Sequence, residues 1–345
     1  MAAAYSLAQD VALSRWNTLR VPATARWAAT VHDAAAVATV LALPQLRGLP
    51  ALVLGEGSNI LFAGDYPGVV LRLAFDRAGV VEESGDTALV RVEAALPWDS
   101  LVDWSLQRGL CGLENLALIP GLTGAAPIQN IGAYGTEVAE FISTVEAYDR
   151  HAGRILRIGA SDCGFSYRDS VFKSDPQRWI VCAVELRLPR QRALALDYAG
   201  VRDELAAMSI AAPSACDVAA AVRRLRRRKL PDPAVIGNAG SFFKNPIVPA
   251  RLAERLRAAH PALPVHPAGD THRKLSAAWL IEAAGWRGFR DGDAGISAQH
   301  ALVLVNHGHA TGEQLLSVAR RVAASVRERF GVTLEPEPRI VGTGF

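Results

Sequence analysis

The chain has 345 residues, 50% of them hydrophobic, and carries 37 lysines and arginines against 34 aspartates and glutamates. A chain of this length can form two or three domains with sizeable cores. The even charge balance argues against a protein that binds nucleic acid or an anionic membrane over a broad surface, so any phosphate-binding site should be local.

The first glycine loop follows a short apolar run. Ala51 to Leu54 predicts a strand, and it leads directly into Gly55-Glu56-Gly57-Ser58-Asn59. A strand followed by such a loop can cradle a pyrophosphate with backbone N–H groups. The loop lacks the third glycine of a dinucleotide-binding fingerprint and the Gly-Lys-Ser/Thr of a P-loop, so taken alone it is a weak signal.

Further strands are predicted at Val69 to Leu73, Ala88 to Val92 and Trp179 to Leu188. In the last of these, alternation should put Ile180, Cys182, Val184, Leu186 and Leu188 on one face. A short helix should open at Pro97 and stop near Gly109, since proline favours the first helical turn and glycine favours the end.

Residues 112–135 form an unusual stretch. They hold five glycines and two prolines and almost no charge, which breaks both helical and strand periodicity although the apolar content is that of a buried segment. Buried irregular backbone needs partners for its amides, and a large polar cofactor would supply them.

The pattern of predicted secondary structure changes near Ala211. Helices are predicted at Val218 to Arg228 and Ala250 to Ala259, and a buried strand at Ala301 to Val305. The last long helix should begin with a capping box of Thr311 and Gln314 and end at Gly331. A stripe of apolar residues should face the core, and we assign it no functional role. The stripe comprises Leu315, Ala319, Val322, Val326 and Phe330.

Ser241 lies in the stretch Gly237 to Pro246, where small residues let the backbone approach a ligand, two phenylalanines cover one side, and Lys244 and Asn245 offer hydrogen-bonding groups. A hydrolase nucleophile elbow is excluded, because Ala239 and Phe243 stand where glycines are required. Ser241 therefore fits a proton donor or ligand hydroxyl better than an acyl-transfer nucleophile. A glycine-rich turn leading into a strand is the plainer alternative.

The basic run Arg223 to Lys229 suggests nucleic-acid binding at first sight. The run is single, has no interleaved aromatics and precedes a helix-ending Leu230-Pro231, so cations at a helix C-terminus are the preferred interpretation. Four cysteines form no CxxC pair, which predicts reduced thiols and no metal site. No export signal or long apolar run is found, and a cytoplasmic protein is expected.

Taken together, these motifs resemble the UDP-N-acetylenolpyruvoylglucosamine reductases (UDP-N-acetylmuramate dehydrogenases) of peptidoglycan synthesis. The similarity includes the Gly55 to Asn59 loop, Ile119-Pro120-Gly121 with Pro127 to Gly135, Tyr167 to Ser170, Lys229 to Pro233, the Ser241 stretch and Leu334 to Glu337. It spans nearly the whole chain in the family's order.

The resemblance implies an α+β fold. It comprises a two-lobed FAD-binding domain of the vanillyl-alcohol-oxidase type in residues 1–210, split near residue 75, and a smaller α+β substrate-binding domain in residues 211–332. Residues 333–345 should form a strand that returns to the active site. We expect non-covalent FAD, NADPH as hydride donor, UDP-N-acetylenolpyruvoylglucosamine as substrate, and a monomer.

The implied reaction adds hydride to an enolpyruvyl double bond and then protonates the other carbon. Arg168 should hold the carboxylate and offset its growing charge, and Ser241 should deliver the proton. Glu337 should orient the enol-like carboxyl or relay protons, and the two roles stay open. Without the resemblance, we would expect Arg168 to form a surface ion pair with Asp169, and Glu337 to be a carboxylate at a strand edge.

The resemblance also names ligand residues. Tyr198 should close over the nucleotide, Lys229 and Asn245 should contact the diphosphate, and His300 stands where some relatives carry glutamine and could equally be a core histidine. Cofactor contacts are expected from Gly55, Glu56, Gly57, Ser58, Asn59, Ile119, Pro120, Gly121, Gly124, Ala125, Asn130, Ile131, Gly132, Ala133 and Tyr134. The alternatives are a flavin oxidase of this fold with another substrate, or a nucleotide-sugar-binding protein without turnover.

Overall fold

The computed structural model describes residues 3–198 and 200–345. Strands and helices are mixed along the chain, and the predicted α+β class is confirmed. The strands are β1 (Tyr5–Ala12), β2 (Thr24–Val31), β3 (Ala51–Val53), β4 (Ile60–Phe62), β5 (Tyr66–Leu73), β6 (Ala78–Ser84), β7 (Thr87–Glu93), β8 (Gly132–Ala133), β9 (Thr136–Glu137), β10 (Ile142–Asp149), β11 (Arg154–Gly159), β12 (Trp179–Pro189), β13 (Gly237–Ser241), β14 (Ile247–Pro249), β15 (Val265–Ala268), β16 (His272–Leu275), β17 (Arg290–Asp291), β18 (Ala294–Ile296), β19 (Val303–Asn306) and β20 (Arg339–Val341).

The predicted helices at Pro97 to Gly109, Val218 to Arg228, Ala250 to Ala259 and Thr311 to Gly331 are confirmed, and the described residues contain further short helices that were not predicted. The helices are α1 (Ala36–Leu41), α2 (Trp98–Leu106), α3 (Val171–Ser174), α4 (Val201–Ala207), α5 (Ala215–Lys229), α6 (Ala250–Ala259), α7 (Ala277–Ala283) and α8 (Gly312–Phe330). The capping box of Thr311 and Gln314 is confirmed, as is the glycine end of α8, where Gly331 has a φ of 67°.

The described residues fall into two compact units. One contains those within 1–11, 25–56 and 67–228, and the other those within 12–24, 57–66 and 229–345. Helix α5 thus belongs to the first unit up to Arg228. The division into domains at residues 210 and 332 stays a prediction.

The first unit holds two sheets. In the smaller one the strands follow the order β1-β2-β5-β3, with β3 and β5 parallel, and helix α1 packs on it. The larger sheet has the order β11-β10-β12-β7-β6 and its pairs are antiparallel. Helices α2, α4 and α5 contribute to the core against the larger sheet.

The expected single apolar face of β12 is wrong. Ile180 and Cys182 pack into the core of the smaller sheet, whereas Val184 and Leu186 pack into the core with α2 and α5. A bulge explains the switch, because Ala147 pairs with Val181 and Glu146 with Ala183, which leaves one extra residue in β12. One extra residue reverses which side chains point to each face.

The second unit is built around an antiparallel sheet of order β13-β19-β18-β17, and the predicted buried stripe of α8 is confirmed. A three-stranded sheet of order β14-β16-β15 and the parallel pair β4 and β20 complete it. The C-terminal strand spans only Arg339–Val341, because Pro336 and Pro338 lack the amides that a longer ladder needs. Among the described residues, no helix has the length and hydrophobicity needed to cross a bilayer.

Candidate functional site

The Gly55 to Asn59 loop leaves several backbone amides without a protein acceptor. None of the N–H groups of residues 55–58 donates a hydrogen bond to another of the described residues. Gly57 is buried and has a φ of 67°, and a Cβ added there would lie 2.1 Å from the backbone oxygen of Trp16. The loop therefore requires glycine and has the free donors that a pyrophosphate needs.

A second loop is tied to the first. The Gly121 N–H donates to the Glu56 carboxylate at 2.9 Å, and the Gly121 carbonyl accepts from the Trp98 amide at 2.9 Å. Gly124 packs so closely that an added Cβ would lie 2.6 Å from the Cβ of Ala94. The Glu56 side chain thus binds the loop of Ile119 to Gly121. The sequence predicted that Glu56 contacts the cofactor and did not predict this second role.

Residues 132–137 form a two-residue hairpin between β8 and β9. Tyr134 and Gly135 occupy the turn with φ angles of 48° and 83°, the pair of positive values that a type I′ turn requires. Tyr134 is buried, and this burial raises the pKa of its phenol. The turn explains why a glycine follows the tyrosine.

The side chain of Asn130 is fully hydrogen-bonded inside the protein. Its amide donates to the Glu137 carboxylate at 2.8 Å and to the Ser166 carbonyl at 3.1 Å, and its oxygen accepts from the Ala139 N–H at 3.1 Å. Any contact between Asn130 and a cofactor would therefore use its backbone.

Arg168 is held against the same hairpin. Its guanidinium donates to the carbonyls of Asn130 at 3.3 Å and Gly132 at 2.5 Å. Its backbone is left-handed, with a φ of 57°, and the Lys173 ammonium donates to its carbonyl at 2.9 Å. The half-buried cation is therefore fixed beside the hairpin residues that were expected to face the cofactor.

Ser241 and Glu337 are brought together by backbone pairing. Ser241 ends β13, and the Glu337 N–H donates to the carbonyl of the next residue, Phe242, at 2.8 Å. The Ser241 hydroxyl is half-buried and has no hydrogen-bond partner in its own unit. A free hydroxyl beside a carboxylate-bearing segment suits a proton donor.

The two phenylalanines that follow Ser241 lie in the core, and their place beside a ligand stays a prediction. Phe242 and Phe243 are buried and meet edge to face, with ring centroids 5.1 Å apart. Lys244 forms an ion pair with Glu335 at 3.2 Å, and the Asn245 side-chain oxygen accepts from the Ala277 N–H at 2.9 Å. The Asn245 oxygen therefore satisfies the first N–H group of α7, whose N-cap is Ser276, and the NH₂ group of Asn245 stays available to a ligand.

Lys229 and His300 act on each other electrostatically. Lys229 is exposed at the end of α5, and His300 accepts from the Leu302 N–H through Nδ1 at 3.3 Å. Burial lowers the pKa of His300 from 6.5, and the positive charges of Lys229 and Arg287 lower it further. Both effects favour the neutral imidazole, which can hydrogen-bond without carrying charge.

Tyr198 lies on Tyr134, with ring centroids 5.3 Å apart in an edge-to-face arrangement. Asn115 supports both segments, since its buried side-chain amide donates to the carbonyls of Tyr134 at 3.0 Å and Ala195 at 2.8 Å. Sequence reasoning did not assign Asn115 a role. Its position in an apolar stretch could have indicated this role, because a buried side-chain amide needs hydrogen-bond partners.

Three of the six cations in the basic run on α5 bind carboxylates. Arg224 and Arg228 both bind the buried carboxylate of Glu204, and Arg223 binds Asp99 and Asp103. These contacts support a structural role for the paired arginines.

Arg168, Tyr134 and Tyr198 belong to the first unit, and Ser241, Glu337, Lys229, Asn245 and His300 to the second. The glycine loop divides at the unit boundary, with Glu56 in the first and Gly57 in the second.

Comparisons with known proteins agree with the motifs. A family model described as the C-terminal domain of UDP-N-acetylenolpyruvoylglucosamine reductase matches residues 232–341, and a model described as an FAD binding domain matches residues 25–159. The UDP-N-acetylenolpyruvoylglucosamine reductase of Xanthomonas euvesicatoria pv. vesicatoria (strain 85-10) is 55% identical over 339 residues, 98% of this chain and 97% of the relative. That of Xylella fastidiosa (strain M12) is 55% identical over 332 residues, 96% of this chain and 94% of the relative. The crystal structure of the enzyme from Thermus caldophilus superposes with a TM-score of 0.67 at 25% identity, and the match covers 97% of this chain and 98% of that chain.

Proposed function

The chain belongs to the UDP-N-acetylenolpyruvoylglucosamine reductase family and is an FAD-dependent oxidoreductase of peptidoglycan precursor synthesis, in which we propose that NADPH supplies the hydride and Ser241 the proton. The observation that carries the residue assignment is the backbone pairing of Glu337 with Phe242, beside the free Ser241 hydroxyl. The comparisons support neither a flavin oxidase with another substrate nor a binding protein without turnover.

The protein's part in the reaction follows from the substrate. An enolpyruvyl ether has a double bond conjugated to a carboxylate, and FAD, when bound and reduced by NADPH, would supply hydride to its terminal carbon. Arg168 binds the carboxylate and offsets the charge that grows there. Ser241 donates a proton to the other carbon through Oγ, which is effective because the enol-like intermediate is strongly basic. Glu337 orients the intermediate or relays the proton.

The residues present fit FAD. The free amides of residues 55–58 can bind a pyrophosphate. A side chain at Gly57 would collide with the backbone of Trp16, and a side chain at Gly124 would collide with Ala94. We assign the backbone of Ile119 to Gly121, Ala125 and residues 130–134 to the same cofactor. The loop Gly55 to Asn59 contains no histidine or cysteine, so the cofactor is held without a covalent bond.

The nucleotide sugar is assigned to Tyr198, Lys229, Asn245 and His300. Lysine offers a mobile point charge to a diphosphate, and the amide group of Asn245 and the neutral His300 offer directional hydrogen bonds. The proposal includes a monomer in the cytoplasm, where NADPH and nucleotide sugars are supplied.

The test of Ser241 separates two half-reactions. Flavin reduction by NADPH needs no proton from Ser241, whereas quenching the enol does. In Ser241→Ala, rapid mixing should show an unchanged rate of flavin reduction by NADPH. The rate at which the enolpyruvyl substrate oxidises the reduced flavin should fall by roughly 10²–10⁴-fold, the range for a lost general acid. Substrate binding should weaken much less.

The NADPH half-reaction of the same variant is the internal control. Equal loss in both half-reactions, or loss of FAD during purification, would mean that the hydroxyl maintains the site and that another group donates the proton. Wild-type protein that holds FAD and yet fails to oxidise NADPH when the enolpyruvyl substrate is added would refute the function itself.

A further inference from the structure

Leu118, directly before the loop of Ile119 to Gly121, has a left-handed backbone with a φ of 59°. This region is unfavourable for a residue with a branched side chain, and it persists only where neighbours hold it. Leu118 therefore needs outside support.

Both polar groups of the Leu118 backbone receive such support from side chains. Its N–H donates to Oδ1 of Asp99 on α2 at 2.7 Å, and its carbonyl accepts from Nε of Arg226 on α5 at 3.1 Å. Burial lowers the pKa of Arg226, so its cation lies in a poorly solvated position. Two helices thus fix the peptide groups on both sides of the strained Leu118 Cα.

Asp99 is itself held in place. Arg223, one helical turn before Arg226, binds both oxygens of Asp99 through Nε at 3.2 and 3.1 Å and through Nη2 at 2.8 Å. The same guanidinium reaches Asp103 at 2.7 Å. At the other end of the loop, Glu56 holds the Gly121 amide. The loop is anchored at both ends before any ligand arrives.

We propose that Asp99 and Arg226 are positioning residues for FAD, which hold Leu118 so that the loop of Ile119 to Gly121 keeps its cofactor-binding conformation. The inference rests on the assignment of that loop to FAD above. Without these contacts Leu118 relaxes to a right-handed or extended backbone, and only a fraction of molecules is competent to bind. The apparent dissociation constant rises by the inverse of that fraction.

The chain offers a matched set of variants on α2. Asp99→Ala removes the acceptor for Leu118, Asp99→Asn keeps an acceptor oxygen, and Asp103→Ala removes only a contact with Arg223. Purified holoenzyme is diluted serially, and released FAD is followed by its fluorescence. Asp99→Ala should raise the dissociation constant of FAD about tenfold, which corresponds to about 1.4 kcal/mol. Asp99→Asn and Asp103→Ala should stay within about twofold of wild type.

Thermal unfolding at saturating FAD is measured in parallel. Asp99→Asn and Asp103→Ala should unfold like wild type, and Asp99→Ala should be destabilised by no more than the roughly 1.4 kcal/mol that a tenfold loss of FAD affinity removes. Equal weakening by Asp103→Ala, or unchanged affinity in Asp99→Ala, would overturn the inference. If Asp99→Ala does not purify, Arg226→Met, which keeps the aliphatic stem, should give the same tenfold loss, and unchanged affinity there would overturn it equally. In each case a wild type that holds FAD and reduces its substrate leaves the proposed function standing.

Discussion

Gly132 lies where the hairpin and Arg168 meet, and a methyl group there should disable the second half-reaction. A Cβ at this position would lie 2.9 Å from Cγ of Glu137, 3.0 Å from Nη1 of Arg168 and 3.1 Å from the Thr136 carbonyl. Contacts this short must be relieved, and of the three groups only the guanidinium is the far end of a long side chain. In Gly132→Ala we therefore expect Arg168 to leave the Gly132 carbonyl, which it contacts at 2.5 Å.

The magnitude follows from what is lost. A hydrogen bond from a charged donor contributes roughly 1.5–3 kcal/mol, and a misplacement of about 1 Å at a reacting centre costs about 100-fold in rate. Gly132→Ala should lower the rate at which the enolpyruvyl substrate oxidises reduced enzyme by about 100-fold. Reduction by NADPH should change by less than about threefold, because Arg168 is assigned to the substrate carboxylate.

Gly135, in the same hairpin, supplies the control. Its φ is 83°, and nothing lies within 4 Å of an added Cβ. Gly135→Ala therefore strains the turn by about 1–2 kcal/mol without touching Arg168. Stopped-flow traces of both half-reactions, with FAD content measured beforehand, decide between them. If Gly135→Ala slowed the substrate step as much as Gly132→Ala does, hairpin strain would explain the loss and the reasoning about Arg168 would fail.

Two further predictions concern the second unit. Lys229→Ala should weaken substrate binding by about 1.5–3 kcal/mol, the range for a charged hydrogen bond. Arg227 is exposed nearby on α5, and Arg227→Ala should have little effect. Equal losses of affinity in titration calorimetry would favour a diffuse basic surface. The pKa of His300 is lowered from 6.5 in the folded protein, so the unfolded chain takes up a proton first as the pH falls. Stability is therefore present above pH 6.5 and is lost as the pH falls through the folded pKa. His300→Gln should flatten this decline in urea unfolding between about pH 7 and about pH 5, and an equally steep decline would contradict the assignment.

Much of the fold could be predicted because local signals coincide with tertiary packing. Helix α8 has a capping box, an apolar stripe and a terminal glycine, and all three agree with its observed bounds. The Ser241 stretch was singled out from its glycines, its phenylalanines and its polar residues, whereas the hairpin at Tyr134 was not predicted, because residues 112–135 fit neither helix nor strand periodicity. Such signals lie within a few neighbouring residues, where a single sequence is most informative.

The features that escaped prediction depend on distant partners. The bulge in β12 is set by its pairing with β10, and alternation along β12 alone cannot reveal the extra residue. The left-handed backbone of Leu118 depends on side chains from α2 and α5, and the role of Asn115 depends on carbonyls of two other segments. The basic run on α5 was correctly assigned to a helix, but its carboxylate partners could not be identified from spacing.

The parallel pairing of β4 with β20 has a consequence for synthesis on the ribosome. Strand β4 emerges early, whereas its partner at Arg339–Val341 is translated last, and the Arg339 N–H that binds the Asn59 carbonyl arrives with it. At roughly 5–20 residues per second, β4 waits tens of seconds for this strand. The first unit is complete once Arg228 has left the ribosome. We therefore expect that unit to fold on the nascent chain, and the Gly57 to Asn59 half of the glycine loop to take its final form only after release.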